Sequence, residues 1–149
     1  MVGPATLADV AGFGKKIIPN FDAHIGNTGE LLSETDLAIV ASGTATLECA
    51  FFGCPMIVVY RVAWPTYCIG RALIKVPWLA MPNILAGRQI VPEFIQGDCT
   101  PEKIAAAALD LLKHPEKREQ QRADLAEVVK KLGPPGASER AAKMILKEI

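Results

Sequence analysis

The sequence predicts an α/β domain built on an open parallel sheet, and three observations carry that reading. LAIVA at 37–41 and MIVVY at 56–60 are continuously apolar runs, as expected of strands covered on both faces. TATLECAFF between them reads as a helix closed by Gly53, so strand, helix and strand follow one another in a compact βαβ crossover. From Thr100 onward the chain is helical, with apolar residues recurring at helical spacing.

The bulk numbers bound the rest. A chain of 149 residues, half of them hydrophobic, buries one ordinary core. Lysine plus arginine and aspartate plus glutamate each number 16 and are interspersed, which gives no electrostatic case for a nucleic-acid partner. Cys49, Cys54, Cys68 and Cys99 form no C-x-x-C pair, so four thiols in a reducing compartment are expected rather than a disulfide scaffold or a zinc site. The opening MVGPATLADVAGFG lacks the basic flank and apolar core of a signal peptide, and no run reaches the ~20 apolar residues that span a bilayer. A cytoplasmic chain, soluble or lying at a surface, is the expectation.

Taken in order, KKIIP at 15–19 reads as a short strand and GELLSETD at 29–36 as a short helix. The βαβ unit follows. Tyr67–Lys75 fits a helix between Pro65 and Pro77, and WLAM at 78–81 a strand stopped by Pro82-Asn83, which places NILAGR at a strand's carboxyl end, where open α/β sheets gather ligands. Thr100 is a good N-cap before Pro101, and the next helix carries a stripe through Ile104, Ala108, Leu111 and Leu112. HPEKREQQRADLAEVVKKLG puts Leu125, Val128, Val129 and Leu132 on one side, and SERAAKMILKEI makes a last helix capped at Ser138.

The chemistry concentrates in ASGTATLEC at 41–49. If a strand ends at Ala41 and a helix opens at Thr44, then Ser42, Gly43 and Thr44 present backbone N–H groups at a helix N-terminus, a seat for a diphosphate. Glu48 lies one turn along on the face of Thr44, where a carboxylate accepts from a ribose diol or is simply a solvated helix residue. GFGKK at 12–16 matches neither a dinucleotide fingerprint nor a phosphate loop and reads as a terminal loop.

ETDLAIVASGTATLECAFFGCPMIVVYR, followed by LIKVPWLAMPNILAGRQIVPEFIQ, closely resembles the carboxyl-terminal half of lipid-A-disaccharide synthase, an inverting glycosyltransferase of the two-domain GT-B architecture. The resemblance implies a Rossmann-like parallel sheet with flanking helices, the UDP-binding half of that fold. It implies residues 1–28 as a partial leading segment and 29–149 as the UDP-sugar-binding domain with carboxyl-terminal helices. The family transfers a 2,3-diacylglucosamine from its UDP carrier to 2,3-diacylglucosamine 1-phosphate in lipid A biosynthesis, with neither metal nor cofactor implied. Carried over, Ser42, Gly43 and Thr44 resemble the phosphate-facing turn, Glu48 the ribose carboxylate and Asn83 the donor-site asparagine. Arg61 would offset diphosphate charge as the leaving group develops, with a surface ion pair as its other reading. Arg88 is a further substrate-binding candidate, Glu93 a weaker one or a helix-start residue, and Gln96 is unassigned.

Partners implied by the resemblance are UDP-2,3-diacylglucosamine or UDP, a complementary amino-terminal half or a second copy, and the bacterial inner membrane. Trp64, Tyr67, Ile69, Trp78 and Leu79 suit either an acyl or membrane contact or core packing, with Arg71 and Lys75 alongside. A full GT-B enzyme closes a cleft between two α/β domains, and this chain has room for one. The catalytic groups are therefore expected mostly on the other half. Two alternatives stay open: a noncatalytic UDP-sugar-binding fragment or partner, and a UDP-N-acetylglucosamine epimerase or peptidoglycan glycosyltransferase-like domain.

Overall fold

A computed structural model describes residues 26–67, 76–134 and 136–147, together with Ile18 and Asn20. The chain divides into two compact units, Met1–Leu31 and Leu32–Ile149. In the first, the carbonyl of Asn27, at a φ of +50°, accepts the N–H of Leu31 at 3.2 Å, closing the first turn of α1 (Thr28–Glu34).

The second unit holds β1 (Ala38–Ala41), α2 (Ala45–Phe51), β2 (Met56–Tyr60), α3 (Met81–Ala86), β3 (Glu93–Ile95), α4 (Pro101–Lys113), α5 (Pro115–Lys131) and α6 (Ala137–Ile145). Its sheet has the order β1-β2-β3 and both pairings are parallel, with Ala38 opposite Met56 and Val58 opposite Glu93. A parallel sheet flanked by helices is the Rossmann-like arrangement expected of the nucleotide-binding half of a GT-B fold. β2 is central, and its Met56, Ile57 and Val58 are fully buried, as the uninterrupted apolar run predicts.

Helix α5 closes the core. Leu125 and Val128 are buried against the cluster that contains Met56, Val58, Cys49 and Val91, each such side chain contributing about 1.5–3 kcal/mol. One turn before Leu125 lies buried Gln121, whose Oε1 accepts the Met56 N–H at 2.6 Å while its Nε2 donates to the Ile90 carbonyl at 3.4 Å. That amide satisfies the first N–H of β2, which would otherwise be buried without a partner. Arg122 Nε reaches the Gly53 carbonyl at 3.3 Å and Lys131 Nζ the Leu85 carbonyl at 2.8 Å, so α5 also closes the ends of α2 and α3.

The local signals act as read at several ends. Gly53 leaves α2 at a φ of +63°, a left-handed conformation that glycine adopts without a Cβ penalty. Thr100 caps α4, its hydroxyl accepting from Lys103 N at 3.4 Å. Cys49, Cys54 and Cys99 are free thiols, the first two buried. The neighbouring Cys54 and burial push the Cys49 thiol well above its usual range, while Cys54, sharing that contact, is drawn down.

Other expectations need correction. WLAM is not a strand: Trp78 and Leu79 lie in irregular backbone, and Met81 opens α3, so NILAGR occupies and follows a helix rather than a strand end. Glu93 starts β3, not a helix. Ser138 lies inside α6, whose N-cap is Gly136. Leu112 and Leu132 are exposed, so the stripes of α4 and α5 are narrower than their periodicity suggests. KKIIP, apart from Ile18, and residues 68–75 of the expected Tyr67–Lys75 helix lie outside the described residues; Trp64–Tyr67 are helical. No helix among the described residues is long and apolar enough to cross a membrane.

Candidate functional site

The carboxyl edge of the sheet collects three chain segments. Leaving β1, the Ser42 N–H donates to the Val59 carbonyl at 3.1 Å, which holds the start of the turn against β2. Arg61 and Val62 follow at the end of β2, and Gln96 follows at the end of β3, where Tyr60 and Ile95 are in register. Gln96 ties the last two together: its Oε1 accepts the Val62 N–H at 2.8 Å and its Nε2 donates to the Val62 carbonyl at 3.0 Å. It does so at a φ of +50°, unusual for a residue with a Cβ.

At the turn, Gly43 has a φ of +153°, and a Cβ built there would meet no atom within 4 Å. Glycine is thus required by the backbone, not by crowding, and the space beyond it is open. Thr46 Oγ1 donates to the Gly43 carbonyl at 2.6 Å and the Thr46 N–H to the same carbonyl at 3.1 Å, fixing the first turn of α2. Among the described residues no acceptor meets the N–H groups of Gly43, Thr44 or Ala45, the orphan donors of a helix start. Thr44 supplies no side-chain cap, which leaves its hydroxyl available beside them.

Ser42 differs from expectation in chemistry. Its hydroxyl donates to the Leu79 carbonyl at 2.9 Å, so it has lone pairs, not its proton, left for a ligand. Glu48 is exposed on α2, its N–H bonded to the Thr44 carbonyl at 3.2 Å, so the two side chains lie one turn apart on the same face.

Asn83 is buried to 0% exposure and fully engaged. Its Nδ2 donates to the Val91 carbonyl at 2.9 Å and to Glu93 Oε1 at 2.6 Å, and its Oδ1 accepts from Ile90 N at 2.7 Å and Val91 N at 2.9 Å. Two donors and two lone pairs are thereby used, leaving none for a sugar in this conformation. Arg88 follows α3 and pairs with Asp124 of α5 at 2.7 Å. That pair flanks an open cleft of about 300 Å³ between α4, α5 and residues 90–92, which none of Ser42, Gly43, Thr44 or Glu48 lines. Sequence reading offered Glu93 only as a weaker substrate-binding candidate or helix-start residue and left Gln96 unassigned, and it missed both as organisers of the backbone.

Trp64 is exposed and stacks at a tilt on Tyr67, with ring centroids 5.6 Å apart. Trp78 and Leu79 are half-buried, and Ile69, Arg71 and Lys75 lie outside the described residues. No group of three or more His, Cys, Asp or Glu suited to a metal occurs among the described residues.

A model of the lipid-A-disaccharide synthetase family matches residues 12–149. The chain belongs to the lipid-A-disaccharide synthase family. It is 47% identical over 121 residues to the lipid-A-disaccharide synthase of Syntrophus aciditrophicus, covering 81% of this chain and 32% of that protein. The synthase of Persephonella marina is 45% identical over 116 residues, covering 78% and 31%, and that of Pectobacterium atrosepticum 39% over 132 residues, covering 87% and 34%. This synthase-family chain therefore spans about a third of the length of the curated relatives it matches. Both SGTATLE and PNILAGR fall inside the matched region.

Proposed function

We propose that this chain is the donor-binding portion of a lipid-A-disaccharide synthase, with residues 29–149 forming its UDP-sugar-binding domain. The N–H groups of Gly43, Thr44 and Ala45 at the sheet's carboxyl edge, which meet no acceptor among the described residues, carry this reading. They suit the diphosphate of UDP-2,3-diacylglucosamine, with the positive end of α2 behind them. Glu48, one turn along the same exposed face, accepts from the ribose hydroxyls.

In the transfer, the acceptor hydroxyl of 2,3-diacylglucosamine 1-phosphate attacks the anomeric carbon as the bond to the diphosphate breaks, and UDP departs carrying the negative charge. Arg61, exposed at the end of β2, offsets that charge together with the turn's N–H groups. The attacking hydroxyl needs an acceptor site and a base held in line, and these belong to the rest of the enzyme. Asn83 and Arg88 act at a remove, Asn83 by fixing the 90–93 segment and Arg88 by tying α3 to α5.

Acylated substrates place the reaction at the cytoplasmic face of the inner membrane, and the exposed Trp64 is the side chain best suited to a peripheral contact. The relatives matched bear the synthase name, which favours this reading over an epimerase or a peptidoglycan glycosyltransferase. Calorimetric titration of the purified chain with UDP, and with ADP as control, tests it. Selective UDP binding is expected; equal affinity for ADP would overturn the assignment of the nucleotide.

A further inference from the structure

The geometry points to Glu93 as a positioning residue for the phosphate-facing turn, acting through the backbone of Leu79 and the hydroxyl of Ser42. The Glu93 carboxylate gathers three donors: Oε2 takes the Leu79 N–H at 2.9 Å, and Oε1 takes the Ala80 N–H at 3.1 Å and the Asn83 amide at 2.6 Å. Asn83 in turn clamps the Ile90 and Val91 N–H groups and the Val91 carbonyl, so β3 and the entry to α3 are locked as one body. The peptide that enters this lock leaves it on the other side: Leu79, whose N–H is held by Glu93, offers its carbonyl to the Ser42 hydroxyl at 2.9 Å.

Two features make this more than a helix anchor. Among the described residues, 78–80 have no strand partner, and the Leu79 and Ala80 N–H groups are held instead by the Glu93 carboxylate, whose charge strengthens each bond. Ser42, the residue that the lock grips, immediately precedes Gly43 and the three unbonded N–H groups. The chain of contacts therefore runs from β3 to the turn without a gap. Its consequence is that Glu93 fixes where those N–H groups point, although it lies far beyond them in sequence.

The inference rests on the donor-site reading, and its test separates the two. In the ligand-free chain, Glu93→Gln keeps the size but replaces one accepting oxygen with a donor. Amide NMR shifts of Gly43, Thr44 and Ala45 are expected to move along with those of Leu79 and Ala80, and UDP affinity to fall about tenfold. In a Ser42→Ala background the same substitution is expected to leave UDP affinity unaltered, because the link is already cut. Shift changes confined to residues 79–83 and 90–93, or an equal affinity loss in both backgrounds, would overturn the positioning role. Should Glu93→Gln fail to fold, Ser42→Ala alone decides: reciprocal shifts at Leu79 and Ala80 support the link, and their absence overturns it. A wild-type chain that does not bind UDP sinks the donor-site reading, while the ligand-free shifts still decide the role of Glu93.

Discussion

At Gly43 and Glu48 the proposed site makes opposite demands, one on the backbone and one on a side chain. Valine at position 43 would be forced to a φ of +153° that costs about 1–3 kcal/mol, and its branches would fill the open space above the turn. Gly43→Val is therefore expected to lower the melting temperature modestly and to raise the Kd for UDP at least tenfold by calorimetry. Unchanged affinity would mean that the space belongs to no ligand. Glu48 is exposed, so Glu48→Ala leaves folding intact while removing an ionised acceptor for the diol, about 2 kcal/mol or roughly 30-fold in Kd. The control is 2′,3′-dideoxy-UDP, whose affinity should not change; an equal loss with both nucleotides would rule out a diol contact. The candidate turn was legible because a glycine between small hydroxyl residues, placed where an apolar run stops, marks the passage from strand to helix by local chemistry alone. The saturation of Asn83 was not, because its partners at 90, 91 and 93 are set by the fold of a loop, and the direction of the Ser42 proton depends on a carbonyl 37 residues away.

Among the elements, α5 shows how a polar residue can decide the stability of an apolar core. Gln121 is 4% exposed and is the acceptor for the buried Met56 N–H. Gln121→Met keeps the volume but leaves that N–H unsatisfied, so a loss of about 1–3 kcal/mol is expected in urea unfolding, and Gln121→Ala should cost more by adding a cavity. A methionine variant as stable as the wild type would show that the amide is dispensable. β1, α2 and β2 were readable because their apolar runs are bounded by polar residues and Gly53, but only β2 is buried as such a run predicts: Ile39 and Ala41 of β1 are exposed, so that strand is not covered on both faces. β3 was not readable, since three residues beginning with Glu93 carry too little alternation. WLAM misled for a related reason: the N–H groups of Leu79 and Ala80 are held by the Glu93 carboxylate instead of a ladder, and apolar content cannot tell those two supports apart.

For the molecule as a whole, the chain matches about a third of each curated relative, and the proposed chemistry divides along the same line. In that proposal the groups that touch UDP are the turn, the Glu48 carboxylate and Arg61 at the end of β2, all of which lie in residues 42–61. Making the glycosidic bond needs a second sugar held within about 3–3.5 Å of the anomeric carbon and a base for its hydroxyl, and orienting two reactants accounts for about 7–11 kcal/mol of a barrier. A domain that seats only the donor forgoes that share. The chain alone is thus expected to bind UDP and to release no UDP from UDP-2,3-diacylglucosamine when the acceptor sugar is added. Mixing it with a separately expressed chain comprising the remainder of a relative, such as the Syntrophus synthase, should restore disaccharide formation, read by mass spectrometry of the lipid product. Glu48→Ala in the mixture should raise the KM for the donor, since the diol contact persists from ground state to transition state. Turnover by the chain alone would place the acceptor site and base within these residues and overturn the division of labour; binding without rescue by the complementing chain would favour a noncatalytic UDP-sugar-binding protein.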